Sequence, residues 1–291
     1  MKLGLGTVQF GLDYGVSNKD GKVPYNEIQK IIDFAQQKNI QVLDTAHAYG
    51  SSETVLGSVL PEKNNFDIVT KTPQCAPILT KHDAQLLEDS FIQSLARLRK
   101  TTIYGLLVHN ADDLLKTDAI RLWEKMVEFK ERGMVKKIGV SVYTRHQLEA
   151  ILDMYTPDLV QLPINIFDQT FYTLLPALKR QGIEIHARSV FLQGLLLMNL
   201  NELPPYFEPI RQHIEQYHIY ITNHGLSPLQ AALRFCDDIS ELDVVLVGVC
   251  SVEQLAQIWQ ACNDTTEGKI DFAHCAVTDE KIIKPSLWNL Q

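Results

Sequence analysis

Three things are scarce in this 291-residue chain, and each scarcity removes a class of protein. Cysteine is sparse: Cys75, Cys236, Cys250, Cys262 and Cys275 are odd in number, widely scattered and without a CxxC pair. That pattern suggests neither a disulfide framework nor a zinc site, so reduced, structural thiols and no metal are expected. Long apolar runs are missing too. No stretch approaches the roughly 20 residues that span a bilayer, and the opening "MKLGLGTVQFG" runs into patterned sequence without the anatomy of a signal peptide. A cytoplasmic protein with no membrane partner is expected. Positive charge is the third deficit: 27 Lys and Arg against 35 Asp and Glu leave a formal charge of -8. A surface that binds nucleic acid by releasing counterions needs a basic patch, so nucleic acid is not an expected partner.

What remains is ordinary globular composition, with 45% hydrophobic and 21% charged residues. Short aliphatic runs alternate with amphipathic segments. The runs are "KLGLGT", "IQVLDT", "FDIVTK", "YGLLVH", "KKIGVS", "DLVQLP", "IEIHAR" and "DVVLVG". Between them lie helical patterns such as "EIQKIIDFAQQ" and "LLEDSFIQSLARLRK", where Leu87, Phe91, Leu95 and Leu98 share one face. Strands apolar on both faces, each followed by a helix, predict a parallel sheet. Eight such units in under 300 residues predict an α/β fold of the (β/α)8 TIM barrel type, one domain over residues 1–291. An open doubly wound sheet is the competitor, but the first turn, "GLGTVQFGLDYG", lacks the GxGxxG fingerprint. Ser227 with Pro228 reads as a helix start, and Ser51 or Ser52 as a cap with Glu53 at the positive end of a helix. The one long connection, between strands 7 and 8 from about Leu196 to Leu242, holds prolines and an extra helix.

In a barrel, residues at the C-terminal ends of strands converge on one pocket. Here those ends carry Asp44, with Tyr49 in the loop beyond, then Lys71, His109, Ser141, Gln161 and Arg188 with Ser189. Taken singly, Asp44 is a loop cap, Lys71 a solvated cation and His109 an ordinary histidine. Together they are a carboxylate, a phenol, an ammonium and an imidazole from three neighbouring strands.

The sequence resembles the aldo-keto reductase family, in particular bacterial members, over nearly its whole length. The matching motifs, in order, are "GLGT" (4–7), "LDTAHAYGSSE" (43–53), "VTKT" (69–72), "SLARL" (94–98), "LLVHN" (106–110), "GVS" (139–141) and "QLPIN" (161–165). The resemblance implies a barrel without a Rossmann domain that binds a nicotinamide dinucleotide and reduces an aldehyde or ketone, a keto-sugar among the candidates. Its catalytic residues fall on Asp44, Tyr49, Lys71 and His109. Tyr49 would protonate the carbonyl oxygen, Lys71 would lower the phenol's pKa, Asp44 would hold Lys71, and His109 would orient the carbonyl. His47 reads as loop, near substrate at most.

Cofactor contacts implied by the same resemblance are Thr7, Ser141, Gln161, Arg188, Ser189, Gln193 and Gly194, with Gly248, Ser251 and Gln254 at the adenosine end. Arg188 stands where the family commonly stacks an aromatic ring, and it either stacks or pairs with a phosphate or a substrate carboxylate. The expected cofactor is NADP(H). NAD(H) stays open, because "VGVCSVEQLAQ" offers no cation for a 2'-phosphate. The usual N-terminal hairpin is not expected, so the barrel floor would be bare or covered by "IIKPSLWNLQ" or a second subunit. Monomer and homodimer both remain. A nucleotide-sensing partner subunit with little turnover is the alternative function.

Overall fold

The computed structural model describes residues 2–16, 18, 21–61, 63–263 and 269–290. Its eight parallel strands, β1 (Leu3–Gly6), β2 (Val42–Asp44), β3 (Asp67–Lys71), β4 (Ile103–Val108), β5 (Val135–Ser141), β6 (Leu159–Pro163), β7 (Glu184–Arg188) and β8 (Val244–Gly248), close in sequence order into a barrel. Closure runs through β1 and β8, where Leu5 faces Val247 in register. The strands are buried on both faces because the barrel has two cores. A small inner one is built from Val42, Val69, Leu107, Leu159, Val244 and Leu246, and a large outer one fills the space beneath the helices. Such strands carry no polar alternation, which is why they read as continuous apolar runs.

The helices are α1 (Tyr25–Gln37), α2 (Ser52–Val59), α3 (Lys81–Leu98), α4 (Ile120–Glu131), α5 (Arg145–Met154), α6 (Leu175–Arg180), α7 (Arg211–Asn223), α8 (Pro228–Asp237), α9 (Val252–Asn263) and the short α10 (Glu280–Ile283). Side-chain caps fix several starts. Thr80 with Asp83, Thr144 with Gln147 and Ser227 with Gln230 form reciprocal capping boxes that satisfy free N–H groups. The expected face of α3 is buried at Leu87, Phe91, Leu95 and Leu98. The connection from β7 to β8 contains α7, the extra helix, after a series of 3-10 turns.

Two local expectations are corrected. Ser51 stands at the N-cap of α2, but neither serine side chain bonds a free N–H of the helix: the Ser51 hydroxyl accepts from Lys22 Nζ at 2.7 Å, and that of Ser52 donates to the Thr7 carbonyl at 2.9 Å. The C-terminal segment does not cover the floor. It packs on the connections that leave β6 and β7 at the opposite end: Val277 N–H donates to Phe167 O, Tyr206 OH donates to Lys281 O, and Trp288 meets Phe207 edge to face. The floor carries its own polar plug instead. Glu184 accepts from Tyr104 OH at 2.7 Å and His186 Nε2 at 2.6 Å, and it pairs with Lys137.

Candidate active site

At the other end of the barrel, the last residues of β2 and β3 form a buried ion pair. Lys71 Nζ lies 2.6 Å from Asp44 Oδ1, and the two residues are 1% and 4% exposed. A buried pair stabilises only when its spare donors and acceptors are also met. Here they are: Lys71 donates to Thr45 O at 2.8 Å, and Gln161 Nε2 donates to Asp44 Oδ2 at 2.7 Å. Thr7 supports the same strand end, its buried hydroxyl donating to Asp44 O at 2.9 Å.

Tyr49 comes back over this pair from the β2 loop. Lys71 Nζ sits 5.0 Å from its ring centroid, and the His109 imidazole meets the ring edge to face at 5.7 Å. The four residues expected to act together therefore share one neighbourhood. The Tyr49 hydroxyl has no hydrogen-bond partner among the described residues. Burial, and then the Asp44 charge, pushes this phenol above its usual range. The expectation that Lys71 brings it down is corrected: the ammonium is spent on Asp44, and burial dominates. Burial also lowers Lys71, against the pull of Asp44. His109 is pushed down to about 4 by burial and then by the Lys71 charge, so it is neutral near pH 7 and offers an N–H.

Small residues set the loop that delivers Tyr49. A Cβ on Gly11 would fall 1.8 Å from Tyr49 O, and Gly50, at φ +55°, backs onto Gly11 O. The far side of that loop is clamped by Glu53, which accepts from Thr70 at 2.6 Å and from Arg97 Nε at 2.8 Å. Arg97 in turn reaches His47 Nδ1 at 2.9 Å, so His47 is a strut against α3. Sequence reasoning missed Gly11; the only available sign was a glycine shortly after a strand.

The remaining expected residues fall into two groups. Ser141 and Gln161 are in register on β5 and β6, and the Ser141 hydroxyl reaches Gln161 Oε1 at 3.4 Å. Arg188 leaves β7 and sits over the Tyr143 ring, its guanidinium carbon 4.0 Å from the centroid, donating to Val142 O at 2.9 Å and Ser189 Oγ at 3.3 Å. Gln193 and Gly194 form a positive-φ turn, with Gln193 donating to Tyr14 OH at 3.1 Å. Gly248, Ser251 and Gln254 lie where β8 meets α9. Ser251 Oγ accepts Gln254 N–H at 3.2 Å, and Gln254 Oε1 accepts Cys250 N–H at 2.7 Å, so both cap α9. Glu27 of α1 takes the Val252 N–H at 2.8 Å. Tyr143, Tyr14 and Glu27 were not anticipated.

Among the buried polar atoms of the described residues that lack a partner, Gln9 Oε1 and Arg188 Nε belong to this end of the barrel. Gln9 packs against Gly248, where a Cβ would come within 2.7 Å of its amide nitrogen. Unmet hydrogen-bonding groups on both the β7 and β8 sides, with the hydroxyl and amide of Ser141 and Gln161 between the strand ends, fit a long polar ligand such as a nicotinamide dinucleotide. Two clefts of about 670 and 430 Å³, lined by residues such as Asp67, Lys100, Lys136 and Trp123, carry none of the residues named above as catalytic or cofactor-binding. Among the described residues no group of His, Cys, Asp and Glu is placed to hold a metal.

The profile of the Aldo/keto reductase family matches residues 2–271, and the chain belongs to that family of NAD(P)H-dependent oxidoreductases. It is 27% identical to Protein REDOX 2 of Catharanthus roseus, over 76% of this chain and 72% of that protein. It is 25% identical to Aldo-keto reductase YhdN of Bacillus subtilis, over 87% and 82%. In fold it is similar to aldo-keto reductase AKR11C1 from Bacillus halodurans, with a TM-score of 0.75 at 18% identity, over 92% of this chain and 88% of that one. No helix among the described residues is long and apolar enough to cross a membrane.

Proposed function

We propose that the protein reduces an aldehyde or ketone, a keto-sugar included, to the alcohol, with Tyr49 as the general acid. The observation that carries this reading is the phenol of Tyr49 set over the Asp44–Lys71 pair and beside a neutral His109. When bound, the reduced nicotinamide supplies hydride. Negative charge then grows on the carbonyl oxygen and must be met by donors already in place. The Tyr49 hydroxyl holds the proton that this oxygen takes. The His109 N–H hydrogen-bonds the same oxygen and sets its direction. Lys71 and Asp44 hold a fixed dipole under the phenol ring. Gln161 has its amide nitrogen committed to Asp44, so its Oε1, with the Ser141 hydroxyl, is what remains to hold a carboxamide.

For the cofactor, the resemblance favours NADP(H), and one observation favours NAD(H). The Glu27 carboxylate already accepts an N–H at the start of α9, and that bond, followed by the Lys30 contact, holds it below the usual carboxylate range. An anion at a helix N-terminus repels a second one, so a 2'-phosphate is disfavoured there.

The test is cofactor consumption with a panel of aldehydes, using NADPH and NADH in parallel, for the wild type and Tyr49→Phe. Loss of the phenolic proton should lower turnover by about 10²- to 10⁴-fold while cofactor still binds. The Glu27 reading expects NADH to bind at least as tightly as NADPH. Cofactor binding without consumption in the wild type would favour the nucleotide-sensing alternative.

A further inference from the structure

We infer that Arg188 selects a substrate that carries an oxyanion, a carboxylate or a phosphate, beside its carbonyl group. The inference rests on the carbonyl-reductase reading. Arginine presents five N–H donors in a rigid fork, and carboxylate and phosphate are the groups that match such a fork two bonds at a time. Arg188 uses two of its donors on the protein, toward Val142 O and Ser189 Oγ, and both acceptors are neutral. Its Nε is buried with no partner. Among the described residues it makes no ion pair, although its charge is felt at Tyr49, Lys71 and His109. The nearby carboxyl of Asp168 feels that charge but makes no ion pair with it, accepting instead from Thr170 N–H at 3.2 Å.

A half-buried guanidinium without a counterion carries a desolvation cost that the site recovers only when an anion arrives. The local charge count agrees. Asp44 is ion-paired with Lys71, and the Asp168 carboxyl, pushed up by burial, makes no ion pair with Arg188, so the guanidinium is left without a paired carboxylate in a chain whose net charge is -8. Tyr143 fixes the guanidinium from one face, and the bond to Val142 ties it across β6 to the loop after β5, so the fork is held before any ligand enters. Arg188 is the last residue of β7, at the same end of the barrel as Tyr49 and His109, so an anion held there fits on the molecule whose carbonyl reacts. The dinucleotide's own phosphates have the same chemistry, and the experiment separates the two sources.

Substrates matched in length and differing in charge make the test: 4-oxobutanoate against butanal, and glyceraldehyde 3-phosphate against glyceraldehyde, with wild type, Arg188→Met and Arg188→Lys. The wild type is expected to favour the charged member of at least one pair. In Arg188→Met the ratio of kcat/KM, charged over neutral, should fall by about tenfold or more, the loss of one charge-assisted contact, and Arg188→Lys should recover part of it. A ratio that stays the same in both proteins, with weaker cofactor binding by fluorescence titration, would assign the guanidinium to the dinucleotide and overturn the inference. If no carbonyl is turned over, the reductase reading fails separately. Calorimetry of succinate with the cofactor-bound protein then decides: binding that Arg188→Met abolishes upholds the anion site, and no binding to the wild type ends it.

Discussion

The imidazole of His109 shows how burial sets the chemistry of a single residue. Its ordinary pKa would leave it partly charged at neutral pH. Burial, followed by the Lys71 ammonium nearby, holds it down to about 4, so it is a neutral donor across the physiological range. Two consequences follow. In proton NMR, with the resonance assigned by comparison with His109→Gln, the ring should titrate at about 4, and no inflection in turnover between pH 5 and 8 should trace to it. The same depression costs stability in acid. The unfolded chain takes the proton near 6.5 and the native chain only near 4, so stability drains as pH falls through that window and is intact above it. A titration near 6.5 in the native protein would mean that the ring is solvated and not facing Lys71. The residue types at the strand ends were legible in the sequence because barrel geometry forces those ends together. The pKa directions were not, since a motif does not report burial: the sequence suggests a phenol lowered by lysine, and the structure gives one raised by desolvation.

Among the elements, all eight strands were legible, because burial on both faces removes polar alternation and leaves aliphatic runs bounded by turns. The capping of α8 was legible too, from Ser227 and Pro228. At α2 the position was legible, with Ser51 at the N-cap, but the bonding was not: the hydroxyls of Ser51 and Ser52 serve Lys22 and Thr7, contacts from remote parts of the chain. The same long-range packing explains Gly11. The first β-to-α connection runs so close to the Tyr49 loop that only a hydrogen fits, with Tyr49 O and Ser52 N at 1.8 and 2.6 Å from any added Cβ. Both neighbours are backbone, so neither can swing away. Gly11→Ala should therefore cost about 1 to 3 kcal/mol of stability, as overpacking does, and should displace the phenol. The expected signature is a fall in kcat larger than any change in cofactor affinity, read from steady-state kinetics beside a fluorescence titration. Unchanged kcat with an unchanged melting temperature would mean that the loop has slack.

Across the whole molecule, the proposed chemistry and the polar closure lie at opposite ends of the barrel. The mouth gathers Asp44, Tyr49, Lys71, His109 and Arg188, while the floor is sealed by Glu184 with Tyr104, Lys137 and His186, a polar plug where the sequence suggests a bare apolar end. The two ends share a strand. Glu184, His186 and Arg188 alternate along β7, so one strand face carries polar side chains from floor to mouth through the inner core. Burial works to raise the Glu184 carboxyl, but the hydrogen bonds from His186, Lys137 and Tyr104 outweigh it and hold it down to about 2. A carboxyl depressed from 4.5 contributes its stability in full above that pH and loses it as pH falls toward 2. Glu184→Gln keeps the shape and removes the charge. It should lower the denaturation midpoint at pH 7 by an amount corresponding to about 1 to 3 kcal/mol, since it leaves Lys137 without its partner, and it should flatten the acid limb of stability between pH 4.5 and 3. Turnover of the folded variant should persist, because the plug touches neither Tyr49 nor Arg188. Parallel acid limbs in the two proteins would show that the floor is held by packing alone. Lost turnover in a fully folded variant would show instead that the polar face of β7 couples the floor to the mouth.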